Sequence, residues 1–176
     1  MYLEAILAHK KEEIKKKKRT RPFVDPPEKR GDLSIRSSPG GNPPGVHPSG
    51  RSRFRSAVSA PGIAVVAEIK RASPSRGPIA PGLDPVKTAV LYEENGAAAI
   101  SVLTEEKFFR GGYHDLRAVR AVTKLPVLAK DFFIDPCQVE EAAAAGADAI
   151  LLIMAILSRG QAAELAACAR EYGLAV

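Results

Sequence analysis

Four short apolar runs rich in β-branched residues, Ile63–Lys70, Ala98–Leu103, Pro126–Lys130 and Asp148–Ile153, constrain this chain most. Apolar side chains on both alternating faces suit parallel strands covered on both sides. The runs begin ~20 to 35 residues apart, the length of a strand with its crossover helix. The intervening segments carry helix ends. Asp84-Pro85 and Asp135-Pro136 each set an N-cap before a proline at the first helical position. Asp135 with Gln138, and Ser158 with Gln161, have capping-box spacing. Gly96, Gly146 and Gly173 fall where C-terminal glycines belong, and Leu174-Ala175-Val176 reads as the start of a fifth strand.

Successive βα units imply a parallel sheet with right-handed crossovers, either an open doubly wound sheet or a (β/α)8 TIM barrel. Neither GxGxxG nor GxxxxGK[ST] follows the first strand, so the nucleotide-binding open sheets lose support and the barrel is preferred. A complete barrel takes ~250 residues. The expectation for 176 residues is therefore an α/β chain of the barrel family, truncated after about four βα units, with an N-terminal helical extension.

That extension spans residues 1–19, where Leu3, Ile6, Leu7 and Ile14 recur at helical intervals. Residues 20–61 read as a poorly ordered linker, since eight of the fourteen prolines lie between Pro22 and Pro61 among repeated Ser, Gly and Arg. Ser37–Arg55 offers almost nothing that could pack. Residues 62–176 form the partial barrel. Charge follows the same division. Residues 1–60 hold fourteen Lys and Arg against six Asp and Glu, or +8, whereas residues 61–176 hold twelve against fourteen, or −2. The net +6 thus belongs to the extension, and no aromatic residues interleave Lys15–Arg19. That run reads as a solvated helix end complementing the dipole rather than a nucleic-acid surface.

The longest apolar stretches, such as Ala147–Leu157, fall short of the ~20 residues that span a bilayer. Neither a secretory signal nor a membrane partner is expected, and Cys137 and Cys168 lack disulfide-framework or metal spacing, so the cytoplasm is the expected compartment. Both cysteines read as small buried residues. His9, His47 and His114 have no evident metal partners, and no metal site is assigned.

Alternation places Ala64, Val66, Glu68 and Lys70 on one face of the first strand. Leu128 and Lys130 share a face of the third. Strand one therefore ends on an acid and a base, and strand three on a second base, at the carboxyl ends where barrel active sites are built. A structural ion pair is the plainer reading of any one of them; their convergence favours chemistry. The following loops add RASPSRGP (Arg71–Pro78), small, hydroxylic and basic, and TEEKFFRGG (Thr104–Gly112), which carries Phe108 and Phe109. Phe132 lies just past Lys130. An aromatic in such a loop is either a packing anchor or a wall of an aromatic substrate pocket.

Taken together, YLEAILAHKKEEI, AEIKRASPSRG, SVLTEEKFFRGGYHDLRAV and PVLAKDFFIDPCQVEEAAAAGADAILLI closely resemble the indole-3-glycerol phosphate synthase family, in the family's order. The resemblance implies a tryptophan-pathway carboxy-lyase that converts 1-(2-carboxyphenylamino)-1-deoxyribulose 5-phosphate to indole-3-glycerol phosphate, CO2 and water. It implies a phosphorylated small-molecule substrate and neither a metal nor an organic cofactor. It makes Lys130 the general acid at the substrate carbonyl, with Glu68 and Lys70 assisting the acid/base steps. It sets Ser73 and Pro74 beside the anthranilate carboxylate, Phe109, Phe132 and Leu151 around the aromatic ring, and Ser101 and Leu103 at the inward end of strand two. The family's strands five to eight have no counterpart in this sequence, so the chain alone is expected to turn over poorly and to self-associate or pair with a complementing half-barrel. The competing readings are another phosphate-binding barrel, such as the phosphoribosylanthranilate isomerase type, and a non-catalytic fragment with a basic nucleic-acid-binding tail.

Overall fold

The computed structural model describes residues 2–20 and 50–176 of the chain. Helix α1, Tyr2–Thr20, carries the buried stripe Ile6, Lys10 and Ile14 at four-residue spacing. Glu13 takes Lys10 Nζ at 2.9 Å and Lys17 Nζ at 2.8 Å. Burial alone would raise the Glu13 carboxyl, but the hydrogen bonds and charges of Lys17 and Lys10 outweigh it and hold the group below the usual carboxylate range. Within the segment read as a linker, residues 21–49, His47 among them, lie outside the described residues. The rest of that reading is corrected: Gly50–Val58 is a helix, α2. Its Phe54 is the exception in a stretch, Ser37–Arg55, that offers almost nothing else to pack.

Beyond α2 the chain runs β1 (Val66–Ile69), a two-stranded hairpin of β2 (Ala72–Ser73) and β3 (Gly77–Pro78), α3 (Pro85–Glu94), β4 (Ala99–Leu103), α4 (Tyr113–Val122), β5 (Val127–Lys130), α5 (Pro136–Ala144), β6 (Ala149–Ile150) and α6 (Arg159–Glu171). The three caps form as the sequence implies. Asp84 accepts from the Val86 and Lys87 amides, and Asp135 with Gln138 and Ser158 with Gln161 close full capping boxes. At Gly146, after α5, φ is +90°, and an added Cβ would lie 2.8 Å from Arg120 Cγ, so both backbone and space demand glycine there.

The main sheet is parallel in the order β1-β4-β5-β6, with Ala175 bridging onto Ala149 beyond β6. Strand order follows chain order without reversal. Ile69, Ile100, Val102, Val127, Ala129 and Ile150 share one core with Ala89, Leu116, Val119, Val139, Ala142, Leu165 and Ala169. Helices α3 to α6 therefore all cover the same face. Strands in chain order with their crossover helices on one face are what successive units of a barrel present, whereas a doubly wound sheet places helices on both faces. No helix among the described residues is long and apolar enough to cross a membrane.

Two strands are shorter than their apolar runs. The first pairs only from Val66, leaving Ile63 96% exposed. The last pairs over two residues, after which the chain turns through a 3-10 segment at Met154–Ile156. The cysteines are half-buried rather than enclosed. Burial, joined by the charges of Glu140, Glu171, Glu164 and Asp135, pushes the Cys168 thiol up to about 11.

Helix α2 is tied to the amino-terminal rim of the sheet. Phe54 packs on Leu128, Ala149 and Ala175. Arg53 reaches the Lys124 carbonyl and, at 3.1 Å, Asp148 Oδ1. Asp148 is 1% exposed, and its Oδ2 also accepts from Arg120 Nη1 at 3.0 Å and the Val127 amide at 2.9 Å. One buried carboxylate thus joins α2, α4 and β5. Asp148→Ala removes the shared acceptor and leaves the partly buried Arg120 with only the Thr123 and Leu125 carbonyls and no counter-charge from Asp148, which should lower unfolding stability by about 3 kcal/mol. Urea denaturation checks this, and a loss below about 0.5 kcal/mol, the size of an ordinary surface substitution, would show that the clamp carries no stability.

Candidate active site

Parallel pairing puts Glu68 opposite Ser101, Ser101 opposite Leu128, and Leu128 opposite Ala149, so these four form one row across the face that α3 to α6 leave uncovered. Two residues further along, Leu103 stands opposite Lys130. From this row Glu68 takes both lysines. Its Oε1 accepts from Lys70 Nζ at 2.5 Å and its Oε2 from Lys130 Nζ at 3.2 Å. Burial alone would raise the Glu68 carboxyl. The hydrogen bond from Lys70, the charge and hydrogen bond of Lys130 and the charge of Lys70 together bring it below the ordinary range. All three groups stay about one-third exposed, open to a ligand. Ser101 Oγ is buried beside them without a hydrogen-bond partner.

Two loops frame this cluster. In the loop after β4, Glu105 is fully buried, and its carboxylate accepts from the amides of Phe108 at 2.6 Å, Phe109 at 3.0 Å and Lys107 at 3.3 Å. In the loop after β5, Asp131 accepts from Thr104 Oγ1 at 3.1 Å and from the Phe132 amide at 2.7 Å. The two loops bring the Phe109 and Phe132 rings to 6.1 Å between centroids at a tilt of 43°, within the range of favourable aromatic pairs.

The loop after β1 contains the β2–β3 hairpin. Ser73 Oγ lies 3.4 Å from Ser75 Oγ and accepts from the Arg76 amide at 3.3 Å, with Pro74 half-buried between them. Arg71 forms a bidentate pair with buried Asp115 on α4 and donates to the Leu83 and Arg110 carbonyls. The hydrogen bond with Asp115 raises the Arg71 guanidinium further above its already high value. Leu151 lies with Leu128 and Phe54 along an apolar recess of about 520 Å³ that Met154 and Val176 also line.

The structure thus joins Glu68, Lys70 and Lys130 by ion pairs and Phe109 with Phe132 by ring contact. Ser101 and Leu103 stand in register beside them. Ser73 and Pro74 occupy the hairpin, and Leu151 belongs to the apolar cluster of Leu128, Ala149 and Ala175. Glu105, Asp131, Thr104 and the Arg71–Asp115 pair were absent from the candidates. The available signal was an acid at the start of each loop, one to four residues before an aromatic, where a short carboxylate can gather successive amides.

A parallel array of βα units with an acid and two bases at the carboxyl ends of its strands is a protein of the class that builds its site from strand ends and βα loops. Comparison with known proteins narrows this. The profile of the indole-3-glycerol phosphate synthase family matches residues 3–176, and the chain belongs to that family. It is 54% identical over 114 residues to indole-3-glycerol phosphate synthase 2 of Ralstonia nicotianae, covering 65% of this chain and 42% of that protein. It is 56% identical over 112 residues to the indole-3-glycerol phosphate synthase of Leifsonia xyli subsp. xyli, covering 64% and 43%. With that of Aromatoleum aromaticum it shares 49% over 123 residues, covering 70% and 47%. The chain spans less than half the length of these curated relatives.

The lowered Glu68 carboxyl gives a signed pH dependence. A group whose pKa falls on folding contributes stability that is present above its unfolded value, about 4.3 for Glu, and is lost as pH falls through the folded value. Wild type should therefore exceed Glu68→Gln in stability by a constant margin at neutral pH, and the margin should shrink only as pH drops below about 4. Denaturant titrations from pH 7 to pH 2.5 measure it. A margin that shrinks between pH 7 and pH 5 would contradict the lowered carboxyl.

Proposed function

We propose that this site closes an indole ring, converting 1-(2-carboxyphenylamino)-1-deoxyribulose 5-phosphate to indole-3-glycerol phosphate, CO2 and water. The carrying observation is the ion-paired Glu68, Lys70 and Lys130 at the carboxyl ends of the strands, with the Phe109 and Phe132 rings paired on the loops that follow β4 and β5.

The reaction needs what these groups offer. The ring carbon bearing the carboxylate attacks the C2′ ketone, and the carbonyl electron pair moves to oxygen, which takes a proton from the Lys130 ammonium. CO2 then leaves, returning its bonding pair to the ring. In the last step a proton departs from C1′ and the new hydroxyl leaves as water, so these two proton transfers balance, and solvent replaces the proton that Lys130 supplied. Glu68 and Lys70 assist these later transfers, and Lys70 also offers charge to a carboxylate or phosphate. Phe109 and Phe132 hold the aryl ring, while Ser73 and Pro74 on the β2–β3 hairpin approach its carboxylate. Ser101 and Leu103 line the floor, and Leu151 extends the apolar wall from the side of β6. Ring closure gains from holding aryl carbon and ketone in contact, and a positioned proton donor supplies the rest.

A positioned general acid contributes about 10² to 10⁴ in rate. Even against the slow turnover expected of this chain alone, a prolonged assay that follows indole fluorescence should show Lys130→Met lowering kcat by about that factor with little change in KM. A loss smaller than about tenfold would remove Lys130 from the acid role.

A further inference from the structure

The loop from Thr104 to Gly112 is built around one acid. Glu105 is 0% exposed, and the amides of three successive residues, Lys107, Phe108 and Phe109, converge on its carboxylate. A buried carboxylate is costly unless its oxygens are matched by donors, and backbone N–H groups match it with a fixed geometry. The loop is closed behind this contact. The Gly111 amide donates to the Glu105 carbonyl and the Gly112 amide to the Leu103 carbonyl. Gly111 lies so close to the end of β4 that an added Cβ would overlap the Leu103 carbonyl oxygen. Between the two anchors Arg110 takes a left-handed φ of +56°, a conformation that non-glycine residues hold only where surroundings enforce it. The product of these restraints is the placement of Phe109, whose ring meets that of Phe132, two residues past Lys130.

We propose that Glu105 is a positioning residue that sets how tightly the site grips an aryl carboxylate, acting through the Phe108 and Phe109 amides to hold the Phe109 ring opposite Phe132. It touches no reacting atom, and its effect passes through the backbone. The inference rests on the reading above that the two rings enclose the aryl end of the substrate.

Glu105→Gln keeps the volume but turns an NH2 group against the converging amides, leaving at least one of them unmatched. The probe is 2-aminobenzoate, whose own fluorescence reports binding. Glu105→Gln should weaken its binding about tenfold, the loss of one charge-assisted hydrogen bond's worth of ordering. Phe109→Ala should weaken it at least as much, and Glu106→Gln, an exposed control, should leave it unchanged. Hydrogen exchange should quicken at residues 107–109 in Glu105→Gln, while the Glu68 carboxyl, followed by 13C NMR, titrates as in the unaltered protein. A merely structural defect would move that titration as well, and this outcome would overturn the proposal. Unchanged aryl affinity in Glu105→Gln beside weakened affinity in Phe109→Ala would also overturn it while leaving the functional reading intact. Absence of 2-aminobenzoate binding by the unaltered protein would remove both. Should Glu105→Gln fail to fold, exchange in the unaltered protein decides: Phe108 and Phe109 amides that exchange as fast as in the unfolded chain would rule the carboxylate contact out.

Discussion

A parallel register in which Glu68, Ser101 and Leu128 are neighbours, combined with the two-residue alternation of strand side chains, is the constraint on which the rest of this structure depends. Shifting any of the three strands by one residue would carry Ile69, Val102 or Val127 out of the helix-covered core and drive a charged or polar side chain into it. The core therefore enforces the site. Hydrophobic burial on one face fixes which residues stand on the other, and Glu68 meets Lys130, 62 residues away, because Ile69 and Ala129 are held on the opposite side of the same strands.

Around that frame, four of the buried carboxylates do two kinds of work. Asp148 and Asp115 pair with arginines and bind elements together: Asp148 joins α2 and α4 to the lower rim, and Asp115 fastens the loop after β1 to α4. Glu105 and Asp131 take backbone amides and shape the loops carrying Phe109 and Phe132. The distinction follows from the donors. A guanidinium on a long stem can bridge distant elements, whereas consecutive amides force a carboxylate's own segment into a tight curve. In each case the cost of an unmatched buried charge, several kcal/mol, makes the alternatives expensive.

Much of this could be read from the sequence where the signal is local. Asp84, Asp135 and Ser158 cap helices because a capping side chain acts within three residues of itself, and Glu68 and Lys70 share a face because strand geometry fixes it. Helix α2 escaped that reading. Gly50–Val58 is polar and arginine-rich, and what steadies it lies far along the chain: Phe54 in the Leu128 cluster and Arg53 on Asp148, 95 residues away. Strand lengths escaped for a related reason. An apolar run extends only as far as its neighbour pairs, so Ile63 and Leu151–Ile153 remain outside the ladder despite their composition. Loop acids were visible as residues but not as organisers, since most of their partners are backbone amides that every residue carries.

The unequal grip of Glu68 on its two lysines bears on which of them can give up a proton. Charge-assisted N–H···O contacts cluster near 2.7 to 2.9 Å. Lys70, at 2.5 Å on the same strand, is held tightly by its near neighbour, while Lys130, at 3.2 Å from across the sheet, is held loosely. A ligand oxygen arriving between β4 and β5 would have to displace less interaction to take Lys130 than to take Lys70. Glu68 can keep Lys70 as counter-ion throughout, so releasing Lys130 leaves no carboxylate uncompensated. Ser101, in the row between Glu68 and Leu128, stands on the strand that the Lys130 side chain crosses to reach Glu68.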